Sequence, residues 1–336
     1  MTIGTGQLNL LDQAKRTDPN GKTAVIVEML AEKNEIIADM IVVEGNTQTG
    51  HRTTMRTGWP SIAWRQLNKG VQPSKSTTKQ QDFTAGMIEA RGEIEEKLVE
   101  LAPDKMGFRL SENAPNIEAI GQKLAGEVFY GDSKVNPDGF TGLASIYSSL
   151  TEGDSKANVL DGGGRGSVNT SIFLTVWGEN SVHGFFPKGT KAGISHVDKG
   201  LEPIRDSSGG TFYAYVDKYN ADLGFCVRDW KQAGRICNID VDDLNSAGDA
   251  QDASANLIKL MVKLKNKMRD LKAGKAVFYC NKEVLTALEL KVMDKDNVYL
   301  TTETLANGLT MTRFLGIPIH QCDQILNTEE TVTPAA

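Results

Sequence analysis

From residue 46 to residue 82 the chain offers almost no continuous apolar face, and that stretch constrains the fold more than any other. A connection so long and so polar cannot bury itself, and loops of this length are usually functional or disordered. Its flanks carry Thr53, Thr54, Thr77 and Thr78, a residue type that favours extended backbone. Gly58-Trp59-Pro60 marks a turn between them. The pattern reads as a long two-stranded flap. An isolated hairpin is marginal in water, so this one has to draw its stability from a neighbour. Residues 1–34 are polar and mixed, with one short helical pattern near 23–33. They read as an arm that gains order by lying on something else.

The rest of the chain can build a core. Of 336 residues, 40% are hydrophobic and 24% charged, with a net charge of −6, ordinary for a globular protein. Met87, Ala90, Ile94, Leu98 and Leu101 fall at helical spacing and predict a helix from residue 84 that Pro103 and Gly107 end, with Glu89, Glu93, Glu95 and Glu96 facing away. A second helix is expected over 111–130. Ser111 or Asn113 would cap it, Pro115 would sit in its first turn, and Gly131 would stop it. Ile117, Ile120, Leu124 and Val128 give it one stripe. Residues 132–168 have loop composition. SIFLTVWG, GTFYAYVDKY, DLGFCVRDW and RICNI are strand candidates between 170 and 240. A third helix is expected over 253–271, with Leu257, Met261, Leu264, Met268 and Leu271 on one side. Its lysines form either a solvated face or one with an electrostatic role towards other subunits or nucleic acid. AVFYC (276–280) reads as a buried strand, NKEVLTALEL (281–290) as a helix and TRFLGIPIHQC (312–322) as a closing strand. The fold class expected is α+β, with strands and helices in layers.

Chemical motifs find little support. No run of about 18 apolar residues spans a membrane, and the first residues lack the pattern of a secretory signal. Cys226, Cys237, Cys280 and Cys322 are scattered without metal-ligand spacing and read as buried free thiols. Gly162-Gly163-Gly164-Arg165-Gly166 precedes a strand, whereas a phosphate cradle needs a helix after its glycines. Gly21-Lys22-Thr23 has no glycine at P-loop spacing before it. Asp240, Asp242, Asp243 and Asn245 break the order of a calcium loop and read as a polar turn capping a helix. His51, His183, His196 and His320 are expected to be isolated from one another; His320 near Cys322 suggests a nucleophile pair, but a packed strand end is the preferred reading. No catalytic, cofactor or metal site is expected. The mild acidity argues against a protein that grips nucleic acid across one face, though not against a container whose inner wall faces it.

Several long strings carry a family resemblance. EVFYGDSKVNPDGFTGLASI (127–146), KAVFYCNKEVLTAL (275–288) and FLGIPIHQCDQIL (314–326) resemble segments of the tailed-phage and herpesvirus capsid fold, the Hong Kong ninety-seven fold. WRQLNKGVQPSKSTT (64–78), SIFLTVWGENSVHGFFPKG (171–189) and VRDWKQAGRICNID (227–240) are similar to major capsid proteins of short-tailed phages of the epsilon fifteen type.

The resemblance implies a division of the chain. Residues 1–34 become an N-terminal arm, 35–83 an extended β-hairpin loop and 84–164 a helix, spine helix and peripheral domain. Residues 165–245 become a β-rich peripheral region with an insertion, and 246–336 the axial core and its return. It implies a homo-oligomer of hexamers and pentamers in an icosahedral head assembled in the bacterial cytoplasm. Expected partners are a scaffolding protein, a portal protein, a decoration or staple protein, and packaged double-stranded DNA at the inner face; no membrane is expected. An encapsulin-like shell around a protein cargo is the alternative. At the subunit interface the expected residues are Arg56, Trp59, Trp64, Lys69, Lys75 and Lys79, with Leu67 beside the tryptophans. The cations would pair with acids such as Glu93, Glu95 and Glu96 across the boundary. Packing of both tryptophans inside their own subunit is the competing expectation.

Overall fold

A strand that reads as a near-continuous apolar run has to be covered on both faces. Asn169–Trp177 meets that requirement, with all nine residues buried. The computed structural model describes residues 33–151, 154–206, 208–245, 250–292, 299–304 and 310–334. The arm expected over 1–34 lies outside the described residues except for Lys33 and Asn34.

The chain opens with α1 (Ile36–Asp39), β1 (Val42–Glu44), β2 (Gly50–Gly58), β3 (Thr77–Glu95), α2 (Glu96–Leu101), α3 (Lys105–Tyr130) and α4 (Leu143–Ile146). Then come β4 (Val159–Asp161), β5 (Asn169–Trp177), β6 (Val182–Phe186), β7 (Ser195–Arg205), β8 (Thr211–Val227) and β9 (Ala233–Asp240). It closes with α5 (Val241–Asn245), α6 (Ala250–Lys267), β10 (Lys275–Cys280), α7 (Lys282–Val292), β11 (Leu300–Thr304), β12 (Thr310–Phe314) and β13 (Ile317–Gln321). The strands join in the order β11-β12-β13-β10-β5-β6-β8-β3-β2, with β9 also on β5, β4 on β9, β7 on β8 and β1 on β6.

Successive side chains of a strand point to opposite faces, and here the two faces fill two cores. Phe173 and Trp177 of β5, Cys237 of β9 and Val277 and Tyr279 of β10 face Ala125, Val128 and Phe129 of α3, with Leu143 of α4. Ile172 and Leu174, Ile236, Phe278 and Cys280 face the other way, onto Leu257, Met261 and Leu264 of α6 and Val284 and Leu288 of α7. The central sheet is therefore the middle layer of an α/β/α stack within an α+β chain. The predicted stripe of the third helix is what closes one side of it.

One buried ion pair locks the C-terminal tail to this stack. Arg235 of β9 donates to Glu329 at 2.9 Å, to Ser171 Oγ at 2.9 Å and to the Tyr147 carbonyl at 3.3 Å. Glu329 also accepts from the Ser171 and Tyr130 hydroxyls, and burial with the Glu329 charge pushes the Tyr130 phenol upward.

Several sequence expectations need correction. Residues 84–95 are not helical; they continue β3, which pairs from Ala85↔Gly224 to Glu95↔Ala214 with β8. Met87 is 83% exposed and Ile94 only 2%. The operative pattern is period two, in which Gly86, Ile88, Ala90, Gly92 and Ile94 share one face. Two glycines also weigh against a helix. A Cβ at Gly92 would stand 2.3 Å from Asn113 Oδ1 of α3, so glycine here lets the helix lie close on the strand. The spine helix in turn begins at Lys105, not at 111. Asp104 caps it by accepting from Gly107 N at 3.0 Å, and Pro115 lies in its interior. Of its expected stripe, Ile120 and Val128 are buried while Ile117 is exposed.

Two strand candidates between 211 and 230 prove to be the single 17-residue β8, and β6 and β7 had no prediction. The third helix ends at Lys267, before a 3₁₀ turn at Leu271–Ala273. The closing strand is a hairpin, β12 and β13, turning through Leu315 and Gly316 at φ 49° and 83°, the geometry of a two-residue hairpin turn.

Replacing Glu329 by Gln should leave the Arg235 charge buried without a counter-charge and cost about 3–5 kcal/mol. Urea denaturation of the unassembled subunit measures it. A double variant with apolar residues at both positions should recover most of the loss.

Candidate assembly surface

The flap forms because β2 and the first half of β3 pair antiparallel from Gly50↔Thr84 to Gly58↔Thr77, with an irregularity between Arg56 and Gly58. At its root, Phe83 packs with Phe185 and Cys226 against Val43 and Ala85. Arg52 and Asp82 form an exposed cross-strand pair at 2.5 and 2.9 Å. Beyond the root there is no core. Between the strands the chain holds a turn, with Lys69 N donating to the Gln66 carbonyl at 3.2 Å and Asn68 at φ 63°. Ser74 Oγ donates to the Ser61 carbonyl at 2.8 Å.

The tip is apolar and uncovered. Trp59, Ile62, Trp64 and Leu67 are 81%, 94%, 102% and 91% exposed, and Val71 is half exposed. Among the described residues neither tryptophan is buried in its own subunit. Arg56 lies 5.5 Å from the centre of the Trp59 ring, and this is its contact among the described residues. Lys69, Lys75 and Lys79 are exposed and make no ion pair there. Of the acids expected opposite them, Glu93 is held by Arg91 at 2.7 Å, while Glu95 is exposed and Glu96 half-buried. A cleft of about 1070 Å³ separates the flap from the body, with Arg56, Trp59 and Lys79 on one side and Arg228, Lys231 and Arg269 on the other. Ile62 and Val71 escaped the sequence reading because isolated apolar residues in a polar run carry no period.

The residues with chemical potential elsewhere are occupied structurally. Asp240 accepts from Asp242 N at 3.0 Å, a turn at the start of α5. Gly162 and Gly164 donate to the Cys237 and Asn238 carbonyls at 2.7 and 2.8 Å, which extends β4 along β9. His320 does not pair with Cys322; its Nδ1 faces Asp39 Oδ2 at 2.5 Å and Glu35 at 3.2 Å. Burial pushes the Cys322 thiol up to about 12, which suppresses the nucleophilic thiolate. All four cysteines are buried and free.

One expectation about the histidines fails. His51 and His183 are not isolated: their rings stand 5.4 Å apart, edge to face, beside Cys226. Burial and the nearby His51 push His183 down to about 4. Three separate strands bring these residues together, so no spacing in the sequence announces them.

Asp39 fastens the beginning of the described chain. It accepts from Lys275 Nζ at 2.5 Å and the Tyr279 hydroxyl at 2.8 Å, besides its contact with His320. Burial pushes its carboxyl upward, but the hydrogen bonds from His320, Lys275 and Tyr279 outweigh burial and hold it below the usual carboxylate range. A depressed carboxylate stabilises the fold above its unfolded pKa, and that contribution disappears as pH falls through the folded one. Acid should therefore loosen α1 first. In the Asp39→Asn variant, stability should be lower at neutral pH and its fall in acid shallower, as measured by denaturation across a pH series. An unchanged acid slope would contradict this.

The profile of the family described as major capsid protein GP7 matches residues 18–333. The solved structure of bacteriophage epsilon15 contains a chain 35% identical, with a TM-score of 0.76 over 98% of this chain and 99% of that one. Two looser likenesses bear no functional argument. The capsid of bacteriophage JBD30 has 9% identity and a TM-score of 0.46 over 88% of this chain and 93% of that one. The encapsulin complex of Synechococcus elongatus has 10% identity and a TM-score of 0.43 over 69% and 96%. No curated protein sequence matches.

Proposed function

This chain belongs to the GP7 family of major capsid proteins, icosahedral shell subunits of the phage virion, and we propose that it closes that shell through its flap. The carrying observation is the uncovered apolar tip of Trp59, Ile62, Trp64, Leu67 and Val71. An exposed apolar cluster on a soluble protein marks an interaction surface, and tryptophan and arginine dominate such contacts. The flap reaches over an adjacent subunit of the same hexamer or pentamer and seats its tryptophans there. Arg56, Lys69, Lys75 and Lys79 meet acids on the neighbour. Residues 1–34 cross the subunit boundary as an arm.

The work of the molecule in this reading is association, with no catalytic step. Many modest contacts per subunit suffice, because multivalency turns weak interfaces into a closed shell. A separate scaffolding protein guides assembly, a portal protein occupies one vertex, and a decoration or staple protein binds outside. Double-stranded DNA lies against the inner face, where the exposed lysines Lys259 and Lys263 of α6 supply positive charge. The likeness to the epsilon15 chain favours a phage head over a shell around a protein cargo.

Replacing Trp59 and Trp64 by Ala should leave subunit stability within about 0.5 kcal/mol, as for other exposed positions. It should raise the concentration needed for assembly by on the order of tenfold or more. Sedimentation of co-expressed shells reads this directly. Normal particles at normal yield would remove the flap from the interface.

A further inference from the structure

We propose that His51, His183 and Cys226 form a binding site for a thiophilic divalent metal ion, zinc above all, at the root of the flap. The site goes beyond the assembly reading and stands without it. It joins three strands, since His51 lies on β2, His183 on β6 and Cys226 on β8. His183 and Cys226 are direct partners across the antiparallel β6–β8 pair, so their side chains leave the sheet on the same face. The donor atoms of all three residues lie within 4.8 Å of one another.

The second observation is the state of the imidazoles. His183 is 1% exposed, yet neither of its ring nitrogens has a hydrogen-bond partner, and His51 Nδ1 has none either. Buried polar atoms are nearly always partnered, and an exception calls for an explanation. Around them the walls are apolar, formed by Phe83 and Phe185, with the His51 ring 5.5 Å from the Phe185 ring. Of the backbone groups, Gly178 alone acts on the His183 ring, outside good hydrogen-bond geometry. The one cation acting on all three residues, Arg228, turns its guanidinium to Asn180 Oδ1 at 2.8 Å.

Two imidazoles and one thiolate are a borderline-soft donor set, suited to zinc and unsuited to calcium or magnesium. Zinc bonds of about 2.0–2.3 Å require the donors to close by about 1 Å, within reach of side-chain rotation. Binding releases the Cys226 thiol proton to solvent and leaves a fourth position for water. A metal held this way ties β2 to the body and fixes the angle at which the flap leaves it.

Cobalt(II) is the probe. The full chain is stripped with a chelator and titrated with Co²⁺ alone. One ion per chain should bind, with the intense visible bands of tetrahedral cobalt and a thiolate charge-transfer band in the near ultraviolet. Zn²⁺ should abolish both bands and raise the melting temperature. His183→Gln and Cys226→Ser should bind roughly tenfold or more weakly, and the charge-transfer band should vanish in the cysteine variant. Should either buried variant fail to fold, the half-buried His51→Asn decides: weakened bands support the site, and unchanged bands overturn it. A spectrum of the hydrated ion only, or a charge-transfer band that survives in Cys226→Ser, also overturns it.

Discussion

Covering both faces of β5 is the constraint from which the rest of the structure follows. Ile172 and Leu174 must be met from one side and Phe173 and Trp177 from the other. Helices therefore have to lie on both faces, and the strongest apolar runs of the chain converge there: AVFYC on one flank, RICNI on the other, and the Leu-Met stripe of α6 across the second face. Aromatic and aliphatic burial of this kind supplies most of the favourable free energy of a fold. What remains for the flap is a handful of apolar residues at its tip, all uncovered. The subunit thus separates into a part that buries itself and a part whose apolar residues stay exposed.

The two parts are not loosely hinged. β3 runs 19 residues without a break, pairing with β2 in its outer half and with β8 in its inner half. α3 lies on that ribbon and is pinned to it by Asp217 of β8, which is almost fully buried. Asp217 accepts from Asn113 Nδ2 at 2.7 Å and Arg109 Nη2 at 3.1 Å, and lies 2.8 Å from His196 Nε2. The Arg109 guanidinium also covers the Tyr215 ring at 4.7 Å. The same helix ends in the core beside β5. A contact made at the flap tip is therefore continuous, through one strand and one helix, with the centre of the subunit. In a shell held by many small interfaces, such continuity lets each contact orient a whole subunit.

Much of this was legible from the residues, and the failures have physical causes. SIFLTVW announced a strand because apolar runs bounded by turn residues have few other solutions, but its burial on both faces shows only in the fold. The flap was legible through its polarity and its threonines. Residues 84–95 misled because Met87, Ala90 and Ile94 satisfy a helical period, while the alternation of Gly86, Ile88, Ala90 and Gly92 is weakened by small side chains. Only the partner strand 214–224, remote in sequence, makes that alternation decisive. β7 escaped because its exposed face is charged and its pairing is with β8 alone. The His51, His183 and Cys226 cluster left no trace, since each residue comes from a different strand. The interface residues follow from the family resemblance; polarity alone locates the flap and not its anchors.

The central claim is that the flap tip is buried by another copy. It is tested most directly by a photo-crosslinking residue at position 64 in shells assembled from mixed light and heavy isotope-labelled subunits. Mass spectrometry then separates contacts within a chain from contacts between chains. The expected result is crosslinked peptides that pair light with heavy chains, with position 64 joined to one recurring surface of the neighbour. Crosslinks confined to peptides of a single isotope, in shells that are fully assembled, would contradict the account.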